Sequence, residues 1–454
     1  MTDLEDALSR TFTHAAAHAP TAPADLVRKV GERHSRRRRG IVVASAAIVA
    51  VVTVGSTFTV RELASTSPPA GPATGVTDAP APPTDDATAQ VTDAPSAEES
   101  RPAQQDAANK PPPIKEVWPQ AVHMLPATLP DGRKFGPQLF LDDHTLLVTT
   151  ESSFEKADTL LSYDVETGKV TEVARIKTPA RADIFPSDFV SGDGQVAWWT
   201  SSKQGEGFVV DIWAVATTGG TPHKVTSIPG TADMGGIDHL EIADGKATWS
   251  LVLGGGVYQA PLSGGRAEAI PGTEGMHLIQ WPWAGSPSFR EVAETSRADG
   301  SEPSGGTGAA QKAEPVFSHL LNVQTGERRE ANLDLGESPG SRWGCGITWC
   351  TGSTREGSVA RRRDGSEERR LPGRTGGMSE AAALDRITVV MTDYPRDKRG
   401  VALYDLATGR SGDLGIRPAS NGSMSFPGIM SGAQRLISYP LNGKLAVVDF
   451  AAIK

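Results

Sequence analysis

Hydrophobic positions fall into three regimes along this chain. Residues 41–60 form one uncharged run, IVVASAAIVAVVTVGSTFTV, without proline and with a single glycine. At about 1.5 Å rise per residue, a helix of this length spans roughly 30 Å, the hydrocarbon thickness of a bilayer. Residues 62–115 hold few large apolar side chains and many prolines, including Pro68-Pro69, Pro82-Pro83 and Pro111-Pro112-Pro113, set among Ala, Thr, Ser and Asp. Such a segment buries too little to offset its ordering entropy and is expected to stay extended. From Val117 the pattern changes to short runs of Val, Ile, Leu, Thr and Trp. These are punctuated by the hairpin dipeptides Asp131-Gly132, Asp193-Gly194, Asp244-Gly245, Asp299-Gly300, Asp364-Gly365, Asn421-Gly422 and Asn442-Gly443. No run of helical period exceeds two turns. The pattern predicts an all-β domain.

That domain repeats. An apolar strand, then Tyr-Asp, two residues, Thr-Gly and a charge stands as LLSYDVETGK ending at Lys169 and as VALYDLATGR ending at Arg410. A looser copy, HLLNVQTGER, puts Asn322 at the Asp position, and weaker ones surround Trp213, Tyr258 and Val359. The turn glycines fall at 168, 219, 264, 326, 365 and 409, at intervals of 51, 45, 62, 39 and 44 residues. This is the length of a four-stranded propeller blade. The long interval contains a Ser/Gly-rich insertion at 284–313, expected as a surface loop. The final strand, in KLAVVDFAAIK, places Asp449 44 residues after Asp405. A lone strand is expected within 117–129. Paired with the last blade, it would close the ring and remove an open edge. The expected fold is a β-propeller of seven four-stranded blades, with six and eight left open. It is preceded by one transmembrane helix and a disordered stalk.

Charge orients this arrangement. Residues 1–40 carry eight Lys and Arg, ending in Arg36, Arg37, Arg38 and Arg39, against three in 61–113. Positive flanks stay cytoplasmic, so the N-terminus is expected inside and the β domain outside the cytoplasmic membrane. A cleaved signal fits less well, because about forty residues precede the apolar run and no A-x-A site follows it. The segments are therefore 1–40 (cytoplasmic, basic), 41–60 (span), 61–116 (Pro/Ala/Thr linker) and 117–454 (propeller). Arginine outnumbers lysine 31 to 14, which fits a GC-rich bacterial source. The formal charge of −9 divides into +3 for 1–40, −5 for 61–113 and −7 for the remainder. A mildly acidic exported domain has no footprint for nucleic acid.

Cys345 and Cys350 are the only cysteines, five apart in WGCGITWCTG. In an exported domain such a pair reads as a disulfide, and no histidine cluster accompanies it to suggest a metal. The YD-x-x-TG repeats resemble those of TolB-like and WD-repeat-like bacterial propellers. The layout as a whole resembles membrane-anchored TolB-like propeller proteins. A Gly-His…Trp-Asp blade signature is lacking, so true WD repeats are not implied. The resemblance implies a binding scaffold with a ligand or partner surface at one mouth of the channel.

Chemistry is sparse. There is no G-x-S-x-G, H-E-x-x-H or P-loop, so no local catalytic, metal or cofactor site is expected. Asp142-Asp143 and the repeated Asp164, Asp405 and Asp449 are read as turn residues that accept backbone hydrogen bonds. Alternation in QVAWWTS puts Trp198 and Trp199 on opposite sheet faces. Trp198, Trp213 and Trp249 are expected in the core, while Trp281 and Trp283, beside the insertion, are the candidate ligand contacts. Three functions follow. The first is a non-enzymatic binding scaffold or sensor, engaging an exported protein or cell-wall ligand. The second is a transmembrane regulator whose residues 1–34 hold a cytoplasmic partner such as a sigma factor. The third is a hydrolase or lyase of wall polymers.

Overall fold

A computed structural model describes residues 110–454 except 154–155, 180, 206, 231–235, 290, 293–313, 334–342, 355–356, 376–380, 393–398 and 430. The predicted span, its arginine flank and most of the linker lie outside the described residues. Among those described, no helix is long and apolar enough to cross a membrane.

Seven antiparallel sheets form a seven-bladed β-propeller. Six are four-stranded meanders in sequence order, covering 136–175, 182–230, 237–269, 277–330, 344–370 and 374–413 (blades 1 to 6). In blade 7 the strand Lys444–Asp449 lies between Leu436–Leu441 and the N-terminal strand Val122–Leu125, with Val122 opposite Val448 and Leu125 opposite Leu445. The two chain ends thus share a blade, as the lone N-terminal strand predicted, and no sheet edge is left at the seam.

The packed chain begins before that strand. The Pro112 carbonyl accepts from Asp413 N at 2.8 Å, Lys110 reaches Asp413 at 3.2 Å, and Ile114 and Trp118 are buried against blades 6 and 7. Linker residues close to the predicted boundary at 117 are therefore part of the seal.

The repeat motif builds one recurring turn. Gly168, Gly219, Gly264, Gly326, Gly365 and Gly409 all have positive φ, each between the third and fourth strands of its blade. A left-handed residue is needed there to reverse the chain, which is why glycine recurs. The acid before the turn caps it. Asp164 Oδ1 accepts from Thr167 N at 2.7 Å, Asn322 Oδ1 from Thr325 N at 3.0 Å, and Asp405 Oδ1 from Ala407 N at 2.9 Å. Asp449 Oδ1 accepts from Ala451 N at 3.0 Å, and Asp142 Oδ1 caps an inner turn through Thr145 N at 2.7 Å.

Separate apolar clusters fill the gaps between neighbouring blades. Leu147, Leu160 and Trp198 pack between blades 1 and 2, Trp199, Ile212 and Trp249 between 2 and 3, and Trp349, Val390 and Tyr404 between 5 and 6. Trp198 and Trp199 are both buried, although they point to opposite faces. A propeller sheet is covered on both faces by its neighbours, so alternation along a strand exposes neither tryptophan. Trp213 is half-buried, with Lys224 over its ring.

Blade 7 departs from the pattern. No innermost strand stands before Leu436 among the described residues, and the chain between 414 and 435 turns inward instead. Gly432 O accepts from Leu384 N of blade 6 at 2.7 Å. On its other side, a Cβ at Gly432 would sit 3.0 Å from Ile279 O, on the innermost strand of blade 4. The segment therefore reaches across the central channel.

Candidate functional site

In a four-stranded meander, the turns joining strands one to two and three to four open on one face of the ring. The connections between blades open on the other. The segment at Gly432 crosses at the turn face, because it leads straight into the second strand of blade 7. The innermost strands of blades 2, 3 and 4, Ala182–Gly192, Ile237–Ala243 and His277–Gln280, carry a cluster of ionisable side chains.

Each member is held by its own strand. Asp188 sits at a bulge with φ of 54°, and its Oδ2 accepts from Leu240 N at 2.8 Å, stitching blade 2 to blade 3. His239 Nε2 lies 3.0 Å from Glu241 Oε1, two residues on and so on the same strand face. The same Glu241 oxygen accepts from Trp281 N at 3.0 Å. His277 Nδ1 meets Asp238 Oδ2 at 2.9 Å, and its Nε2 lies 3.7 Å from Glu291 Oε1, an ion-pair rather than a hydrogen-bond distance. Glu291 Oε2 accepts from Ser288 N at 2.7 Å. His277 is 1% exposed and His239 7%.

This environment moves the titrations apart. Burial pushes Asp188 up to about 6, against the opposing pull of His239. Burial also acts to lower both histidines, but the carboxylates outweigh it. Glu241, Asp188 and Asp238 hold His239 at about 9, and Asp238 and Glu291 hold His277 at about 9. The paired His277 imidazole, with donation from Ser288, carries Glu291 down to about 2. At neutral pH both imidazoles are therefore protonated, and each is paired with an acidic side chain.

The sequence-predicted residues lie elsewhere. Cys345 and Cys350 form the expected disulfide, directly opposite each other in the first hairpin of blade 5. Buried Arg363 braces that hairpin, donating to the carbonyls of Gly346, Phe317 and Ser318 at 2.6–2.7 Å. Trp283 is buried, with the Arg329 guanidinium 4.3 Å from its ring centroid. Trp281 is half-buried. It packs partly on Val257, Leu278 and Leu321 and lines a groove of about 260 Å³ between blades 3 and 4. Arg36 to Arg39 lie outside the described residues.

The histidine–carboxylate cluster was missed because its bonds between blades join residues far apart in sequence, Asp188 with Leu240 over 52 residues and Asp238 with His277 over 39. One signal was available: the spacing of Asp238 from His277 and of Asp188 from Leu240 is close to one blade. Residues separated by one repeat become neighbours across a blade interface. Among the described residues, no group of three or more His, Cys, Asp or Glu is arranged to hold a metal.

No family model matches the chain, and no curated protein does. Among solved structures it is similar to an oligogalacturonate lyase in complex with manganese (9% identity, TM-score 0.31, covering 71% of this chain and 78% of that one). It is also similar to TolB from Acinetobacter baumannii (14%, 0.28, 69% and 79%) and to a chain of a nidogen/laminin complex (10%, 0.27, 55% and 94%).

Proposed function

We propose that this chain is a single-pass, membrane-anchored propeller displayed outside the cytoplasmic membrane, where it acts as a non-enzymatic binding scaffold or sensor. The observation that carries this reading is the join of Arg36–Arg39 to the twenty uncharged residues 41–60, followed by a proline-rich stalk and a closed β-propeller. The stalk would span about 40 Å as a coil and up to roughly 160 Å if extended, which holds the propeller within the wall zone. The first described residues, Lys110, Pro112 and Ile114, lie along the outer strand of blade 6, at the rim of the ring.

The acids favour binding over turnover. Asp405 and Asp449 are bonded to Arg386 and Arg435, and the blade 2–4 carboxylates are bonded to histidines and backbone amides. One observation favours a second reading, a wall-polymer hydrolase or lyase. Asp188, at about 6, stands near the His239 imidazole, and carboxyls shifted this way cluster at acid–base sites. Residues 1–34 would bind a cytoplasmic partner only if the chain also signals.

In-cell cross-linking and recovery of the full chain, beside a chain lacking residues 1–34, tests the proposal. Recovery of the same exported or wall components by both supports a scaffold. A cytoplasmic regulator recovered only with the full chain replaces it with the signalling reading. Wall-polymer turnover abolished by Asp188→Asn replaces it with the enzyme.

A further inference from the structure

The groove at Trp281 has a chemistry of its own. Trp281 lines it together with Ile270, Pro271 and Val323, which supply apolar surface. Two polar pairs stand at its edges. Gln324 Nε2 of blade 4 donates to Asp244 Oδ2 of blade 3 at 2.8 Å, and Lys246 Nζ donates to Gln259 Oε1 at 3.1 Å. A carboxylate accepts at two oxygens and a primary amide both donates and accepts, so each pair keeps capacity for a ligand. The lining carries one anion and one cation and is balanced in charge. A second depression of about 150 Å³ adjoins the first and shares Lys246 and Gln259 with it.

Trp281 is fixed in place before any ligand arrives. Its backbone N–H is bonded to Glu241, the following carbonyl, of Pro282, accepts from Val323 N at 2.9 Å, and its side chain packs against the cluster of Val257, Leu278 and Leu321. A pre-organised ring loses little entropy on binding. At about 260 Å³ the main depression is at the small end for organic ligands, with room for one ring-sized unit.

We infer that this groove is a binding site for a neutral oligosaccharide, one sugar ring stacked on Trp281 and the next lying over Lys246 and Gln259. A pyranose presents an apolar C–H face to an aromatic ring and a rim of hydroxyls to amides and carboxylates, and the groove lining supplies these groups. Charge balance disfavours a polyanion. A peptide strand fits less well, because it binds by extending a sheet edge, and the outermost strand of blade 3, Glu268–Ala269, is two residues long. The site rests on the scaffold reading above and specifies what the scaffold holds.

The test is titration of purified full-length chain in detergent with oligomers of N-acetylglucosamine and of glucose, followed by calorimetry and tryptophan fluorescence. Saturable binding that tightens from monomer to dimer is expected. Trp281→Ala should weaken it about tenfold, since an aromatic contact of this kind is worth on the order of 1 kcal/mol. Trp281→Phe should retain most of the affinity. Gln324→Ala, on an exposed turn, and Gln259→Ala, half-buried on a strand, should each cost several-fold while the thermal unfolding profile is unchanged. Absence of binding by the wild-type chain, binding of charged saccharides alone, or undiminished affinity in both Trp281→Ala and Gln324→Ala would overturn the inference. Such a failure leaves the scaffold reading intact if cross-linked exported partners are still recovered, so the two fail separately.

Discussion

Asp405, fully buried, and Asp188, half-buried, are both aspartates on propeller strands, yet their surroundings move them in opposite directions. Burial acts to raise both. At Asp405 it is overridden by two Arg386 bonds at 2.6 and 2.7 Å, Thr408 Oγ1 and a backbone amide, and the carboxyl stays below its usual range. Asp188 has one amide donor and no guanidinium, so burial wins and its carboxyl rises to about 6. The first carboxylate is committed to holding a turn. The second keeps a proton equilibrium near neutrality. Burial alone therefore says little about what an acid does, and the number of donors aimed at it decides.

The largest expected effect concerns the seal around which these turns are arranged. A chain beginning at residue 126 lacks the outer strand of blade 7 and the fully buried Trp118, and should not give a monomeric folded ring by gel filtration and circular dichroism. A chain beginning at 110 should match the full propeller. Asp405→Ala strands Arg386 and removes the cap together, so denaturant unfolding should show a loss of about 3 kcal/mol, the low end for breaking a buried pair. Asp164→Ala removes only backbone caps at an exposed turn, and its cost should be clearly smaller than that of Asp405→Ala. Equal losses at the two positions would break the distinction between a capping acid and an acid paired with arginine. Replacing both Cys345 and Cys350 with alanine opens a short loop only and should cost about 2 kcal/mol at most.

The cluster predicts a pH profile. His239 and His277 titrate near 9 when folded, above the usual histidine value, so their contribution is complete below about pH 6.5 and is lost as pH rises through 9. Glu291, held at about 2, contributes above its ordinary pKa and loses that contribution only as pH falls toward 2. Asp188 works the other way. Its folded pKa is raised, so ionising it costs stability progressively from about pH 4 to 6. Asp188→Asn keeps an acceptor for Leu240 N and should leave stability at pH 7 unchanged or raise it by up to about 1 kcal/mol. A loss as large as that of Asp405→Ala would contradict the contrast drawn above.

The same contrast governs how much could be read from the sequence. Asp164 and Asp405 announced themselves because each stands four residues before a turn glycine, and Asp449 because it ends a matching strand 44 residues after Asp405. Blade number followed from the spacing of those glycines, and closure from the lone strand near 122. The disulfide followed from the spacing of its two cysteines. The cluster did not announce itself, since His239 and His277 acquire their meaning only from blades that neighbour them in space. Nor was the inward course of residues near Gly432 visible, because an irregular segment carries no period. The tryptophans were legible in part: strand alternation assigned faces to Trp198 and Trp199, but in a ring of packed blades both faces are interior.

The central claim is that this propeller stands outside the cytoplasmic membrane on a tether anchored by residues 41–60. The direct measurement is protease treatment of intact, wall-stripped cells, with antibodies against the propeller and against a tag at residue 1. The account predicts cleavage in the linker before 110, release of a resistant propeller, and protection of the tag. A propeller and linker left uncut until the membrane is permeabilised would contradict it.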